Sequence, residues 1–186
     1  MNIDWDKTQI MVDLETLGTA PGCAILSIGA AKFDQNGIIN TFYTTIRLES
    51  NVDCGLTINP NTLKWWVAQN GFKDLLLSEN AKHINSAFIE FSTWADNENR
   101  KIDIWGNGSD FDNAILSYTY DKLRIARPKG WSYSGNRCYR TVKNLYPEIE
   151  IDRIGEHHNA VDDAKSQALH LIKIWNLSNS RSLSIV

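Results

Sequence analysis

Two acidic residues, Asp13 and Glu15, end a short apolar run near the start of the chain. Residues two apart on a β-strand point to the same side, so this pattern predicts both carboxylates on one face, with Leu14 turned into the core. At a separation of ~4 Å and an effective dielectric of ~20, two like charges repel by roughly 4 kcal/mol. A divalent cation between them would reverse the sign of that energy. A solvated strand end is the alternative for this pattern taken alone.

A second acidic place, Asp110 and Asp112, follows a predicted strand and the glycine-containing break at 106–108. Ser109 and Asp112 have the spacing of a capping box, which predicts that a helix begins there. The buried face of that helix is predicted to carry Phe111, Ala114, Ile115 and Tyr118. A carboxylate in a first turn can simply stabilise the helix dipole, but strand-to-helix junctions also deliver catalytic residues.

The third acidic place precedes the last predicted helix. Asn159 is a suitable N-cap, and Asp162, three residues later, completes the spacing of a capping box. This register makes His158 the residue before the cap and Asp163 the fourth residue of the helix, two positions that meet at many helix starts. Capping explains Asp162, but it does not explain an imidazole brought next to a carboxylate.

These places fall on an alternation of strands and helices. Apolar and β-branched runs predict strands ending near Thr16, over 24–33 and over 38–46, with a hairpin turn at 34–37 and a further strand at 102–106. Helical spacing predicts helices over 59–67, 84–95, from 109, over 139–145 and over about 159–177. The sequence therefore predicts an α/β fold in one domain, residues 1–177, followed by a loose polar tail, 178–186.

In combination, the three acidic places resemble the motifs of the DnaQ-like exonucleases of the DEDDh type. The matching segments, in the family's order, are Asp13–Thr16, Asn107–Asp112 and His158–Asp163. Further similarity to the exonuclease VIII and ribonuclease AS branch lies at Thr62–Trp66, Trp105–Gly108 and Arg140–Thr141. The chain departs from that branch at Cys138, where an aspartate is common.

The resemblance implies a ribonuclease H-like mixed sheet and a 3′–5′ exonuclease acting on single-stranded DNA or RNA from the 3′ end. It implies release of nucleoside 5′-monophosphates by a two-metal mechanism. The implied ligands of two Mg²⁺ or Mn²⁺ ions are Asp13, Glu15, Asp112 and Asp163, an all-oxygen set that suits hard cations. The implied fifth catalytic residue is His158, as the base that takes a proton from the attacking water.

Residues expected to hold the nucleic acid lie beside these motifs or in a basic segment. Between residues 122 and 147 there is no acidic residue, but there are seven lysines and arginines, interleaved with aromatic rings. This composition suits phosphate contacts and base stacking, although a solvated basic face over core aromatics would look the same. The expected substrate-binding residues are Thr16, Leu17, Trp66, Asn107, Arg137 and Arg140. Of these, Leu17 and Trp66 could instead belong to the core.

Composition narrows the functional classes. No apolar run of about 18 residues is present, so no membrane span is predicted. The three cysteines have no CxxC spacing, which favours a reducing, cytoplasmic compartment, and the resemblance points to a bacterial or phage-infected cell. The sequence leaves open whether the protein forms a homodimer.

The alternative function is a non-catalytic nucleic-acid-binding module, but a decayed enzyme would usually have lost an acid or His158. A structural metal protein would not need His158.

Overall fold

A computed structural model describes residues 3–96 and 100–183 of the chain. Its five strands are β1 (Thr8–Thr16), β2 (Ile25–Asp34), β3 (Gly37–Thr45), β4 (Ile102–Gly106) and β5 (Trp131–Cys138). They form one mixed sheet in the order β3-β2-β1-β4-β5. β1, β2 and β3 pair antiparallel, whereas β4 lies parallel to β1 and β5 parallel to β4. The predicted α/β fold with an antiparallel meander is confirmed.

Seven helices flank the sheet within the described residues. They are α1 (Leu48–Asp53), α2 (Pro60–Val67), α3 (Phe72–Leu76), α4 (Ile84–Ala95), α5 (Asp112–Leu123), α6 (Tyr139–Leu145) and α7 (Ala160–Leu183). The predicted helices at 59–67, 84–95 and 139–145 are therefore present. Among residues 3–96 and 100–183, no helix is both long and apolar enough to cross a membrane.

The alternation along β1 decides which layer receives its acidic residues. Ile10, Val12 and Leu14 point into the larger core, which also contains buried side chains of α4 and α5. Met11 points to the opposite face, into a smaller core that includes two buried alanines, Leu171 and Ile172 of α7. Asp13 and Glu15 share the face of Met11 because they follow it at steps of two. The acidic end of β1 therefore faces α7.

A glycine lets α7 approach the sheet at that end. Gly29 of β2 lies opposite Asp13 in the ladder. A Cβ at position 29 would lie 2.0 Å from the carbonyl carbon of Ala160 and 2.2 Å from the amide nitrogen of Val161. Only glycine permits this contact between strand and helix backbones. The first turn of α7 is thereby held beside Asp13.

Several elements differ from the sequence prediction. The capping box at Ser109 does not form, because α5 begins at Asp112 and its N-cap, Phe111, makes no side-chain cap bond. The strand β5 was not predicted. The last helix extends to Leu183 rather than about Leu177, so residues 178–183 are helical instead of a loose tail. The rest of that predicted tail, 184–186, lies outside the described residues.

Candidate active site

The end of β1 and the first turns of α7 bring three carboxylates together. Ligand oxygens of Asp13, Glu15 and Asp163 all lie within 4.8 Å of one another. Glu15 and Asp163 are buried, at 7% and 8% exposure. One turn further along α7, the Gln167 amide donates a hydrogen bond to Asp13 Oδ1 at 2.8 Å. Asp163 and Gln167 of α7 therefore lie beside Asp13 and Glu15 of β1.

Asp112 supplies a fourth carboxylate from the start of α5. Its side chain is fully buried. Its Oδ1 accepts the backbone N–H of Leu14 at 3.1 Å, and its Oδ2 accepts the N–H of Asn107 at 2.7 Å. Asp112 therefore ties the acidic end of β1 to the loop after β4, whereas Asp110, two residues earlier, is exposed.

Burial and crowding of the carboxylates raise their pKa values. Burial, and then the charges of Asp112, Glu15 and Asp163, raise the pKa of Asp13 well above its ordinary value. Burial, followed by the charges of Asp163 and Asp112, raises the pKa of Glu15 to about 8. Burial also raises the pKa of Asp112 to about 6, although its backbone hydrogen bonds oppose the shift. The cluster binds protons strongly and would bind other cations for the same reason.

His158 stands at the edge of this cluster, just before α7. Its backbone is in the left-handed region, with φ of 66°. Its N–H donates to Asp163 Oδ2 at 2.9 Å, so backbone rather than imidazole makes the predicted contact. The imidazole nonetheless presents a ring nitrogen within 4.8 Å of a carboxylate oxygen of Asp163. Burial, and then neighbouring His157, lower the pKa of His158, which keeps the ring neutral at pH 7.

A pocket of about 530 Å³ opens over the acids. This size is typical of ligand sites. Its walls include Asp13, Glu15, Asp163 and His158 together with Trp65, Arg153 and Lys143. The pocket thus combines carboxylates, an imidazole, an aromatic ring and two cationic side chains.

The family follows from a match along most of the chain. The model of the 3′-5′ exoribonuclease Rv2179c-like domain matches residues 8–175. The chain belongs to this exoribonuclease family. A search of curated proteins found no match.

Solved structures of other nucleases have the same fold. The nuclease domain of 3′hExo, a DEDDh family member bound to rAMP, is 14% identical and has a TM-score of 0.64 over 93% of this chain and 94% of that chain. Exonuclease X in complex with 5′ overhanging duplex DNA is 16% identical, with a TM-score of 0.54 over 92% and 93%. The zinc-bound E. coli exonuclease I–ssDNA complex is 16% identical, with a TM-score of 0.59 over 90% of this chain but 40% of that one. The family match confirms the expected 3′–5′ exonuclease family, and the solved structures confirm its fold.

Two of the expected substrate contacts, Leu17 and Trp66, are buried in this exoribonuclease-family protein. Leu17 is fully buried in the larger core, so it cannot touch a nucleotide. Trp66 is 3% exposed and its indole N–H donates to the carbonyl of Thr16 at 2.8 Å. The neighbouring Trp65 is 45% exposed and lies edge-on to His158, with ring centroids 5.1 Å apart. Both indoles line the pocket, and Trp65 presents the more exposed ring to it.

The two expected arginines have different surroundings. Arg137 pairs with buried Asp103 at 3.0 Å and donates to two nearby carbonyls, and it does not line the pocket. The prediction that Arg137 contacts phosphate is therefore unsupported, because β5 uses this side chain for its own anchoring. Arg140 is exposed and approaches Asn107 Oδ1 at 3.4 Å, close to the loop that holds Asp112. Asn107 and Thr16 both line the pocket.

Sequence reasoning missed the pocket residues Gln167 and Arg153. Gln167 is 5% exposed, and its Oε1 has no hydrogen-bond partner among the described residues. Its spacing, one helical turn after Asp163, is the signal that would have found it. Arg153 lies in a stretch without a motif, so only the fold brings it to the pocket, whereas Lys143 belongs to the basic segment predicted to contact phosphates.

The raised pKa of Glu15 predicts that the metal-free protein becomes less stable as the pH rises. The folded state keeps the Glu15 proton up to pH about 8, whereas an unfolded glutamate loses it near its ordinary pKa of 4.5. The free energy of unfolding should therefore fall as pH rises through this window. In EDTA, Glu15→Gln should melt a few degrees (~2–4 °C) above wild type at pH 8, with little difference at pH 4.5. Equal melting temperatures at pH 8 would contradict the crowding of the acids.

Proposed function

We propose that this protein removes nucleotides one at a time from the 3′ end of single-stranded nucleic acid and releases nucleoside 5′-monophosphates. The observation that carries the proposal is that Asp13, Glu15 and Asp163 meet His158 in one pocket, while the buried Asp112 lies close enough for its charge to raise the pKa of Asp13. The exoribonuclease description of the family favours RNA as the substrate. DNA is the second substrate to test.

The acidic cluster fits two Mg²⁺ or Mn²⁺ ions. All four side chains offer carboxylate oxygens, which hard divalent cations prefer. No donor among the described residues hydrogen-bonds the carboxylate of Glu15, and its pKa is raised to about 8, so its charge needs a cation. When bound, such ions stabilise the charge on the attacking and leaving oxygens of a phosphodiester. Asp13, Glu15, Asp112 and Asp163 would hold them.

We propose His158 as the base that takes a proton from the attacking water. Its ring is neutral at pH 7 because burial and His157 lower its pKa, so a ring nitrogen is free to accept. Its backbone hydrogen bond to Asp163 fixes the residue relative to the acids. The edge contact with Trp65 restricts the ring further. The imidazole thus faces the carboxylates on a fixed part of the backbone.

The pocket also supports binding of a terminal nucleotide. The exposed ring of Trp65 offers a surface for base stacking, worth about 1–3 kcal/mol per base in single-strand binding. Lys143 lines the same pocket, and Arg140 lies at its Asn107 side, so both can approach phosphates. We propose Thr16 and Asn107 as further contacts because they line the pocket next to the acids.

Removal of metal should abolish this activity. With Mg²⁺ and a 5′-labelled single-stranded RNA or DNA, we expect a ladder of products shortened from the 3′ end and free nucleoside 5′-monophosphate. Excess EDTA should stop hydrolysis and lower the melting temperature, because the ions bind only the folded cluster. Full hydrolysis in EDTA would contradict the two-metal proposal. Oligonucleotide binding without hydrolysis in Mg²⁺ and in Mn²⁺ would favour the non-catalytic alternative.

A matched pair of variants controls this experiment. Asp112→Asn removes a buried carboxylate of the cluster, whereas Asp110→Asn removes an exposed one two residues earlier. Only the first should lose hydrolysis. Equal loss in both variants would indicate a general effect of charge on nucleic-acid binding.

A further inference from the structure

Arg153 makes an ion pair with a carboxylate that we propose as a metal ligand. Its Nη1 lies 2.6 Å from Asp163 Oδ1. The exposed fraction of the side chain alone is 48% for Arg153 and 11% for Asp163. A buried carboxylate thus meets a half-exposed guanidinium that also lines the pocket.

The two oxygens of Asp163 have separate partners. Oδ2 accepts the backbone N–H of His158, a contact that belongs to the helix start and fixes the side chain. Oδ1 is the oxygen that remains for a cation, and Arg153 contacts that oxygen. A divalent ion that used Asp163 would therefore meet Arg153 at the same atom.

The backbone next to Arg153 is hydrogen-bonded to the first turns of α7, whereas the Arg153 side chain is about half exposed. The N–H of Ile154 donates to Ser166 Oγ at 2.9 Å, and the N–H of Glu156 donates to Asp162 Oδ2 at 3.0 Å. Gly155 packs directly on Asp162, where a Cβ would lie 2.0 Å from Oδ2. The guanidinium can leave Asp163 without leaving the pocket, because the chain beneath it stays bound to the first turns of α7.

We infer that Arg153 is a displaceable counterion of the acidic site, which holds Asp163 Oδ1 until a divalent cation takes that oxygen and then binds a substrate phosphate. The inference rests on the proposed function. A guanidinium suits the second role because its planar donors match two phosphate oxygens at once. The arrangement keeps a positive charge next to Asp163 in the free enzyme and supplies a phosphate ligand in the loaded one.

The first test is metal affinity, measured on the full chain with Mn²⁺ by electron paramagnetic resonance of the free ion. Arg153→Met removes the competitor, so Mn²⁺ should bind more tightly, by about 2–5-fold for an ion pair of this exposure. Lys165→Met is the matched control, because Lys165 pairs with the adjacent Asp162 at 2.6 Å in the same helix turn. It should change Mn²⁺ affinity less than Arg153→Met. Unchanged or weaker Mn²⁺ binding by Arg153→Met would overturn the inference and make the ion pair a support for Asp163.

The second test is phosphate binding. With Mn²⁺ saturating, adenosine 5′-monophosphate should inhibit Arg153→Met on the order of 10-fold less well than wild type, because one charged bidentate contact is lost. Arg153→Lys should recover part of this loss. Equal inhibition of wild type and Arg153→Met would overturn the phosphate role. Melting in EDTA checks the fold, and Arg153→Gln replaces the methionine variant if that variant is unstable.

The two proposals fail in different ways. Wild-type protein that neither binds Mn²⁺ nor shortens RNA or DNA would refute the proposed function. Wild-type protein that does both, combined with Mn²⁺ binding no tighter in Arg153→Met, would refute only the role of Arg153.

Discussion

Asp163→Asn is expected to lose nearly all turnover and keep its fold, whereas Asp162→Asn should keep its turnover and lose a little stability. The two carboxylates are adjacent in sequence but face different surroundings. Asp163 meets Asp13 and Glu15, and an amide at this position can still accept the His158 N–H. Its loss as a ligand should exceed the ~10–100-fold that removal of a ligand's supporting residue costs.

Asp162 instead serves the helix start and the loop before it. Its Oδ2 accepts the Glu156 N–H at 3.0 Å and its Oδ1 pairs with Lys165 at 2.6 Å. An asparagine keeps the first contact and loses the second, which costs about 0.2–1 kcal/mol, or ~2–4 °C at most. Turnover, melting temperature and Mn²⁺ affinity of both variants decide the matter. A dead Asp162→Asn with an active Asp163→Asn would show that the proposed ligand is misassigned by one position.

The register of this helix start was accessible from the sequence, but its partners were not. Asn159 Oδ1 accepts the N–H groups of Val161 and Asp162 at 3.2 and 3.4 Å, as the N-cap prediction requires. The capping-box partner differs, since Asp162 bonds Glu156 rather than the cap residue. The left-handed backbone of Gly155 and His158 turns the chain so that a different N–H arrives. Backbone turns of this kind leave no periodic pattern.

The missed strand β5 shows the same limit in the sheet. Its residues are mostly exposed, with burial only at Trp131 and Gly135, so neither alternation nor an apolar run marks it. The strand forms because glycines let its backbone pack closely against the neighbouring chain. A Cβ at Gly130 would lie 2.0 Å from the carbonyl oxygen of Arg100, and one at Gly135 would lie 2.3 Å from that of Ile102. Arg137, which belongs to the basic segment predicted to bind the substrate, therefore anchors an edge strand through its ion pair with Asp103.

The alternation in β1 was the most informative local signal. It correctly predicted that Leu14 is in the core and that Asp13 and Glu15 share a face, because the period of a strand depends only on backbone geometry. The exposure of single side chains was harder to predict. Trp65 and Trp66 are adjacent, and only the packing of α2 against the end of β1 buries one and exposes the other.

Gly29→Ala is expected to lower turnover sharply through backbone displacement, without changing any proposed ligand. The added Cβ would lie 2.0 to 2.3 Å from the backbone of Ala160 and Val161, and no side-chain rotation can relieve such a contact. The start of α7 must move away from the sheet, and it carries Asp163 and Gln167 with it. A displacement of about 1 Å at a catalytic group can cost on the order of 10²-fold in rate. Overpacking should also lower the free energy of unfolding by about 1–3 kcal/mol.

The matched control is Ala31→Gly, two residues along the same face of β2. It removes a buried methyl and adds backbone freedom, which costs about 0.5–1 kcal/mol from the glycine alone, but leaves the start of α7 in contact with Gly29. Both variants should therefore melt below wild type, while only Gly29→Ala should lose Mn²⁺ affinity and turnover. Turnover and Mn²⁺ affinity at a temperature where both are folded separate displacement of the site from loss of stability. Full turnover by Gly29→Ala would mean that the close approach of α7 to Gly29 does not set the position of Asp163.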